Sequence, residues 1–106
     1  MARSMALVLG LALAAAGPVH ADAAAGKLKA RACAVCHGPL GISVLPDAPH
    51  LAAQPERYLA IQLQAFRSGK RASEVMAVVA RPLTDADIAD LAAWFGSIQV
   101  EAKERP

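Results

Sequence analysis

Cys33-Ala34-Val35-Cys36-His37 gathers both cysteines of the chain and one of its three histidines into five residues, and this cluster restricts what the rest can fold around. Two thiols separated by two residues lie on one side of a helical turn of about 3.6 residues, with an imidazole at the next position. Four chemistries use such a pair of thiols: a dithiol redox couple, a zinc site, a structural disulfide and covalent attachment of haem. A thioredoxin-like couple wants a βαβ surround, and no stretch of the chain sustains the two-residue alternation of a strand. Zinc wants two more ligands at metal spacing, and a plain disulfide leaves His37 without a role. C-x-x-C-H is the pattern of c-type haem attachment: the sulfurs add to the two vinyl groups and the histidine is brought under the iron as an axial ligand.

The residues after the motif agree with a bound group. Gly38, Pro39, Gly41, Pro46 and Pro49 fall within residues 37–54, a density of breakers that neither helix nor strand tolerates. So long a loop in a small domain is expected to wrap something. Composition points the same way: 56% of the 106 residues are hydrophobic, but 26 are alanine and only four are aromatic, so side chains alone supply little core. A flat apolar porphyrin tethered through Cys33 and Cys36 would provide the missing centre, and the chain without it is expected to fold poorly.

The beginning of the chain reads as an export leader over residues 1–21. Arg3 is its positive end, residues 5–16 its apolar run, and Val19-His20-Ala21 a cleavage site with small residues at the two recognised positions. The run is well short of the ~20 residues that a membrane span requires. The processed protein would be residues 22–106, periplasmic, one domain, without a stable membrane span. Eleven basic against nine acidic residues is too small an excess for a nucleic-acid binder.

Helical signals account for the remainder. Asp22 is a plausible N-cap for an Ala-rich first helix over 23–34. Pro55 suits a first helical position, and Tyr58, Leu59, Leu63 and Phe66 recur at helical spacing up to Gly69. A short apolar segment over 72–80 ends against Arg81-Pro82. Thr84, with Asp85 and Asp87 behind it, caps a last helix in which Ile88, Leu91, Ala92 and Phe95 share a face. The expected fold is all-α: three main helices plus a short one wrapped around one covalent haem.

Several motifs together carry a family resemblance: Gly26 upstream of Cys33-Ala-Val-Cys-His37-Gly38; Pro46-x-x-Pro49-x-Leu51-Ala-x-Gln54; Tyr58-Leu59, Gln62-Leu63 and Phe66-Arg67-Ser68-Gly69; Met76 ahead of Ala80-Arg81-Pro82-Leu83-Thr84-Asp85-x-Asp87-Ile88; and Leu91-Ala-x-Trp94-Phe95. The chain resembles the class I c-type cytochromes. The likeness is to the short bacterial type found in the diheme cytochrome c-four family and in the haem subunit of flavocytochrome c sulfide dehydrogenase. Ile42 and Val44 depart from it, standing where relatives often carry polar or proline residues.

The resemblance implies a single haem c with His37 and Met76 as axial ligands. His50, the alternative sixth ligand, sits at a loop position where the family has none. It also implies that the Pro46 carbonyl accepts the Nδ1 proton of His37, and that Gly26 and Ala30 let the first helix approach the last. With both axial positions filled, the expected work is one-electron transfer without catalytic turnover. The partners would be redox proteins such as a respiratory complex, an oxidase or a dehydrogenase. Arg67, Lys70, Arg71 and Arg81 form a basic cluster, read either as a solvated face or as a rim that steers acidic partners.

Overall fold

The computed structural model describes residues 20–106, together with Gly10 and Ala12. The leader expected over 1–21 therefore falls almost entirely outside the described residues. Within them the chain is helical, with no strand: α1 (Ala23–Lys29), a 3-10 turn (Ala30–Ala32), α2 (Ala34–His37), α3 (Glu56–Ser68), α4 (Glu74–Ala80) and α5 (Asp85–Ser97).

The single first helix expected over 23–34 is instead two pieces. Asp22 Oδ1 caps α1 by accepting from the amides of Ala24 at 2.9 Å and Ala25 at 3.2 Å. The helix then tightens, with the Cys33 amide bonding to the Ala30 carbonyl at 2.9 Å, and restarts at Ala34. Three residues wound at 3.0 rather than 3.6 per turn rotate everything beyond them by roughly 60°. This allows Ala30, 4% exposed, to face the core while the motif after it turns to another side.

Local chemistry sets the other ends. Pro55 stands one position outside α3, and Gly69 ends that helix in the left-handed conformation at φ 82°. Ser73 Oγ caps α4, and Thr84 with Asp87 forms a reciprocal capping box on α5. The α1–α5 crossing is very close: a Cβ on Gly26 would lie 1.9 Å from the Asp90 carbonyl oxygen, so only glycine fits. The long loop is closed at its base by the Gly41 carbonyl, which accepts from Leu51 at 2.8 Å and Ala52 at 3.1 Å, while the Ala53 amide donates to the Phe95 carbonyl at 3.0 Å.

The buried core is as small as the composition implies. Ala30, Leu59, Leu91, Ala92 and Phe95 make its cluster, and Ile88 is the largest side chain wholly withdrawn from solvent. Apolar side chains elsewhere stay exposed, notably Leu40, Ile42, Val44 and Leu45 in the loop and Val75, Val78 and Val79 on α4. The protein atoms by themselves leave both segments without an apolar cover.

Candidate functional site

The C-x-x-C-H turn is held by backbone bonds to the Cys33 carbonyl from His37 at 2.9 Å and from Cys36 at 3.3 Å, and it stops at Gly38, whose φ is 80°. Both thiols are free: Cys33 is half-buried and Cys36 exposed, and burial pushes the Cys33 thiol above its usual range. His37 is 8% exposed, with Nδ1 2.8 Å from the Pro49 carbonyl oxygen. A carbonyl can only accept, so Nδ1 carries a proton, and in the neutral ring Nε2 is then the nitrogen with the free lone pair. Among the described residues Nε2 makes no hydrogen bond.

The carbonyl that meets His37 is thus not that of Pro46. Pro46 occupies the second position of an exposed turn closed by the Ala48 amide on the Leu45 carbonyl at 3.3 Å, where its fixed φ stiffens the loop. Pro49 takes the expected role because the peptide after it is pinned. The Ser43 amide donates to His50 Nδ1 at 2.9 Å, and Gln54 Nε2 donates to the His50 carbonyl at 2.6 Å. Ser43 Oγ also donates to the Cys36 carbonyl at 2.9 Å, tying the loop back to the motif. Ser43 carried no signal in the sequence, and two prolines three residues apart gave no ground for choosing between their carbonyls. His50 uses Nδ1 within the loop, which accords with a loop role.

Met76 is half-buried at the third position of α4, its amide donating to Ser73 Oγ at 3.1 Å. Met76 shares its face of α4 with Val79, 40% exposed, and with Ala80, which is wholly buried. Arg67 braces the segment after α4, through Nη1 to the Leu83 carbonyl at 3.0 Å and Nη2 to Asp85 at 2.7 Å. Arg71 bonds Gln62 at 2.7 Å and lies 4.6 Å over the Phe66 ring. Two of the four residues of the basic cluster are thus engaged in the fold, which leaves Lys70 and Arg81 for any wider electrostatic role.

These residues suit a covalent haem. Free thiols lie one helical turn apart, a buried imidazole has its Nδ1 proton held and a nitrogen to spare, and the loop and α4 carry exposed apolar side chains of the kind a large hydrophobic ring would cover. No group of three or more His, Cys, Asp and Glu side chains among the described residues could hold a metal ion directly.

Comparison with known proteins agrees with this geometry. The family profile described as cytochrome c matches residues 23–99. Cytochrome c4 of Pseudomonas aeruginosa is 46% identical over 89% of this chain, which spans 46% of that relative. The chain spans about half the length of the cytochrome c4 relatives it matches. Cytochrome c-554(548) of Halomonas halodenitrificans is 40% identical over 72% of the chain, and here 95% of the relative is covered. Thiosulfate dehydrogenase (TsdBA) from Marichromatium purpuratum superposes with a TM-score of 0.71 at 36% identity, over 92% of this chain and 24% of that one.

Proposed function

This chain belongs to the cytochrome c family, whose members are electron-transfer proteins carrying covalent haem c, and on that footing we propose that it is a periplasmic one-electron carrier with a single haem. Residues 1–21 are removed on export. Cys33 and Cys36 form the two thioether links, and His37 and Met76 ligate the iron. The observation that carries this reading is the buried His37 ring, its Nδ1 proton held by the Pro49 carbonyl and its Nε2 left as a donor beside two free thiols.

When bound, haem supplies a reversible one-electron iron couple, and a thioether ligand raises its potential relative to bis-histidine ligation. The chain's own residues do the rest. The Nδ1–H bond to Pro49 holds the imidazole in one orientation and makes Nε2 a stronger donor. Ser43 fixes the loop that presents Pro49, and the Ser73 cap orders the turn of α4 that bears Met76. Leu40, Ile42, Leu45 and Val79, exposed in the protein by itself, would exclude water where the ring covers them.

One haem per chain by pyridine haemochrome, on protein exported from a host competent for haem attachment, is the expected result. A colourless, folded product would overturn the reading. Met76→Ala should abolish the sulfur-to-iron charge-transfer band at the red end of the oxidised spectrum, and a retained band would exclude Met76 as ligand. A second reading, an electron-accepting partner or subunit of an oxidoreductase, is favoured by the likeness to thiosulfate dehydrogenase and to a thiosulfate dehydrogenase electron acceptor of Thiomonas intermedia. Purification from the native periplasm separates them: a lone monomer supports the free carrier, and co-elution with a dehydrogenase supports the subunit.

A further inference from the structure

Away from the haem motif, the crossing of α1 and α5 encloses a charged group that electron transfer does not use. Asp90 is 7% exposed. Its Oδ2 accepts from Lys29 Nζ at 2.6 Å and its Oδ1 from the backbone nitrogen of Asp22 at 2.8 Å. Lys29 also reaches Asp87 at 2.9 Å. The carboxylates of Asp87 and Asp90 thus share one ammonium, while the neighbouring Lys27 lies over the Trp94 ring, 5.5 Å from its centroid. A nearly buried carboxylate facing a neutral amide while acids outnumber cations around it is a poor arrangement for a docking point between two helices.

The sequence places the leader cleavage between Ala21 and Asp22, at the very nitrogen that Asp90 holds. Hydrolysis of that peptide bond consumes one water and leaves a carboxylate on Ala21 and an α-ammonium on Asp22. We infer that Asp90 is the receptor for the newly made N-terminus, so that leader removal converts a neutral hydrogen bond into an ion pair and completes the lock between α1 and α5. The inference rests on the reading of residues 1–21 as a cleaved leader. The ammonium supplies the missing positive charge, and its three protons replace one. Asp90 is already held below the usual carboxylate range, by the Lys29 hydrogen bond first and the Asp22 backbone bond second. A charged donor at Asp22 strengthens the second of these.

The sign of the pH dependence is set by the pairing. An α-amine paired with a carboxylate titrates above its ordinary ~7.7–8.0. Its contribution to stability is fully present below that unfolded value and is lost as pH rises through the higher folded one. The Asp87 and Asp90 carboxylates, both drawn below their usual range by the Lys29 hydrogen bond first, and the Lys29 ammonium, raised by those two partners, keep their charges across that interval.

The test uses the exported holoprotein. Intact mass establishes where the chain begins, and the rate of labelling by an amine-selective reagent against pH gives the α-amine titration. Labelling at pH 8 is expected to be about fivefold slower than in Asp90→Asn, because a shift of one pKa unit lowers the neutral fraction there from about a half to about a tenth. A variant with one alanine inserted before Asp22 leaves an amide nitrogen at Asp22 and moves the ammonium one residue away from Asp90, so it serves as reference if Asp90→Asn does not fold. It should label at the ordinary rate and lack the alkaline loss of stability. Equal labelling in wild type and reference, on a chain whose mass begins at Asp22, overturns the Asp90 receptor alone. A mass that begins elsewhere overturns the cleavage site and the receptor together.

Discussion

Gly26→Ala tests how α1 is held to α5. The added Cβ would lie 1.9 Å from the Asp90 carbonyl oxygen, 2.6 Å from its carbon and 2.9 Å from Trp94 Cβ. An allowed contact is at least ~3 Å, and none of these atoms is the end of a flexible side chain, so α1 must retreat by about 1 Å. Overpacking of this kind costs about 3 kcal/mol, of which the better helix propensity of alanine returns about 1 kcal/mol, leaving a net loss of about 2 kcal/mol. The same retreat stretches the Asp22 and Lys29 bonds to Asp90 and lifts Ala30 from the core, so the figure is a lower bound. For a domain of this size it corresponds to a fall in Tm of about 8–16 °C. Thermal unfolding of the oxidised holoprotein, followed by far-ultraviolet circular dichroism, reads it directly. A variant melting within about 2 °C of wild type, a change of about 0.5 kcal/mol or less, would refute the close-contact argument.

Two further outcomes concern the backbone and the charges. Ala53 has φ 61°, a left-handed conformation that costs a non-glycine residue about 1–2 kcal/mol, so Ala53→Gly should stabilise the protein by about 0.5 kcal/mol after the added unfolded-chain entropy and raise Tm by a few degrees; a lower Tm would show the strain to be absent. Asp87 is drawn down to about 2, by the Lys29 hydrogen bond first and the Thr84 backbone bond second. Its contribution is therefore present above its unfolded value of 3.8 and lost as pH falls towards 2. Acid titration of stability should lose part of its slope between about pH 4 and 2 in Asp87→Asn, and an unchanged slope would exclude this carboxylate as a source of acid sensitivity.

Much of the site was legible because its chemistry is local. Cys33, Cys36 and His37 are consecutive enough for one turn to bring them together, and the breakers that come after them announce a loop whatever its path. Thr84 with Asp87, and Gly69 at the end of α3, mark helix ends through bonds and dihedrals confined to a few residues. The break after Lys29 was not legible. An Ala-rich segment has the same propensity on both sides of the 3-10 turn, and what selects that turn is Ala30 packing into a core assembled from α3 and α5. Met76 could be singled out in the sequence, but its half-buried place on α4, one turn before the wholly buried Ala80, is visible only in the fold.

By itself the sequence determined the C-x-x-C-H motif, the helical class and the small core, since each depends on residues near one another or on totals that no fold can alter. The tertiary structure alone decided which proline carbonyl holds His37, because loop closure through Gly41, Ser43 and Ala53 sets that choice. It also decided that Asp90 meets the backbone of Asp22, 68 residues away. Hydrogen bonds reach about 3 Å, so a partner distant in sequence is fixed only once packing has placed the two segments side by side.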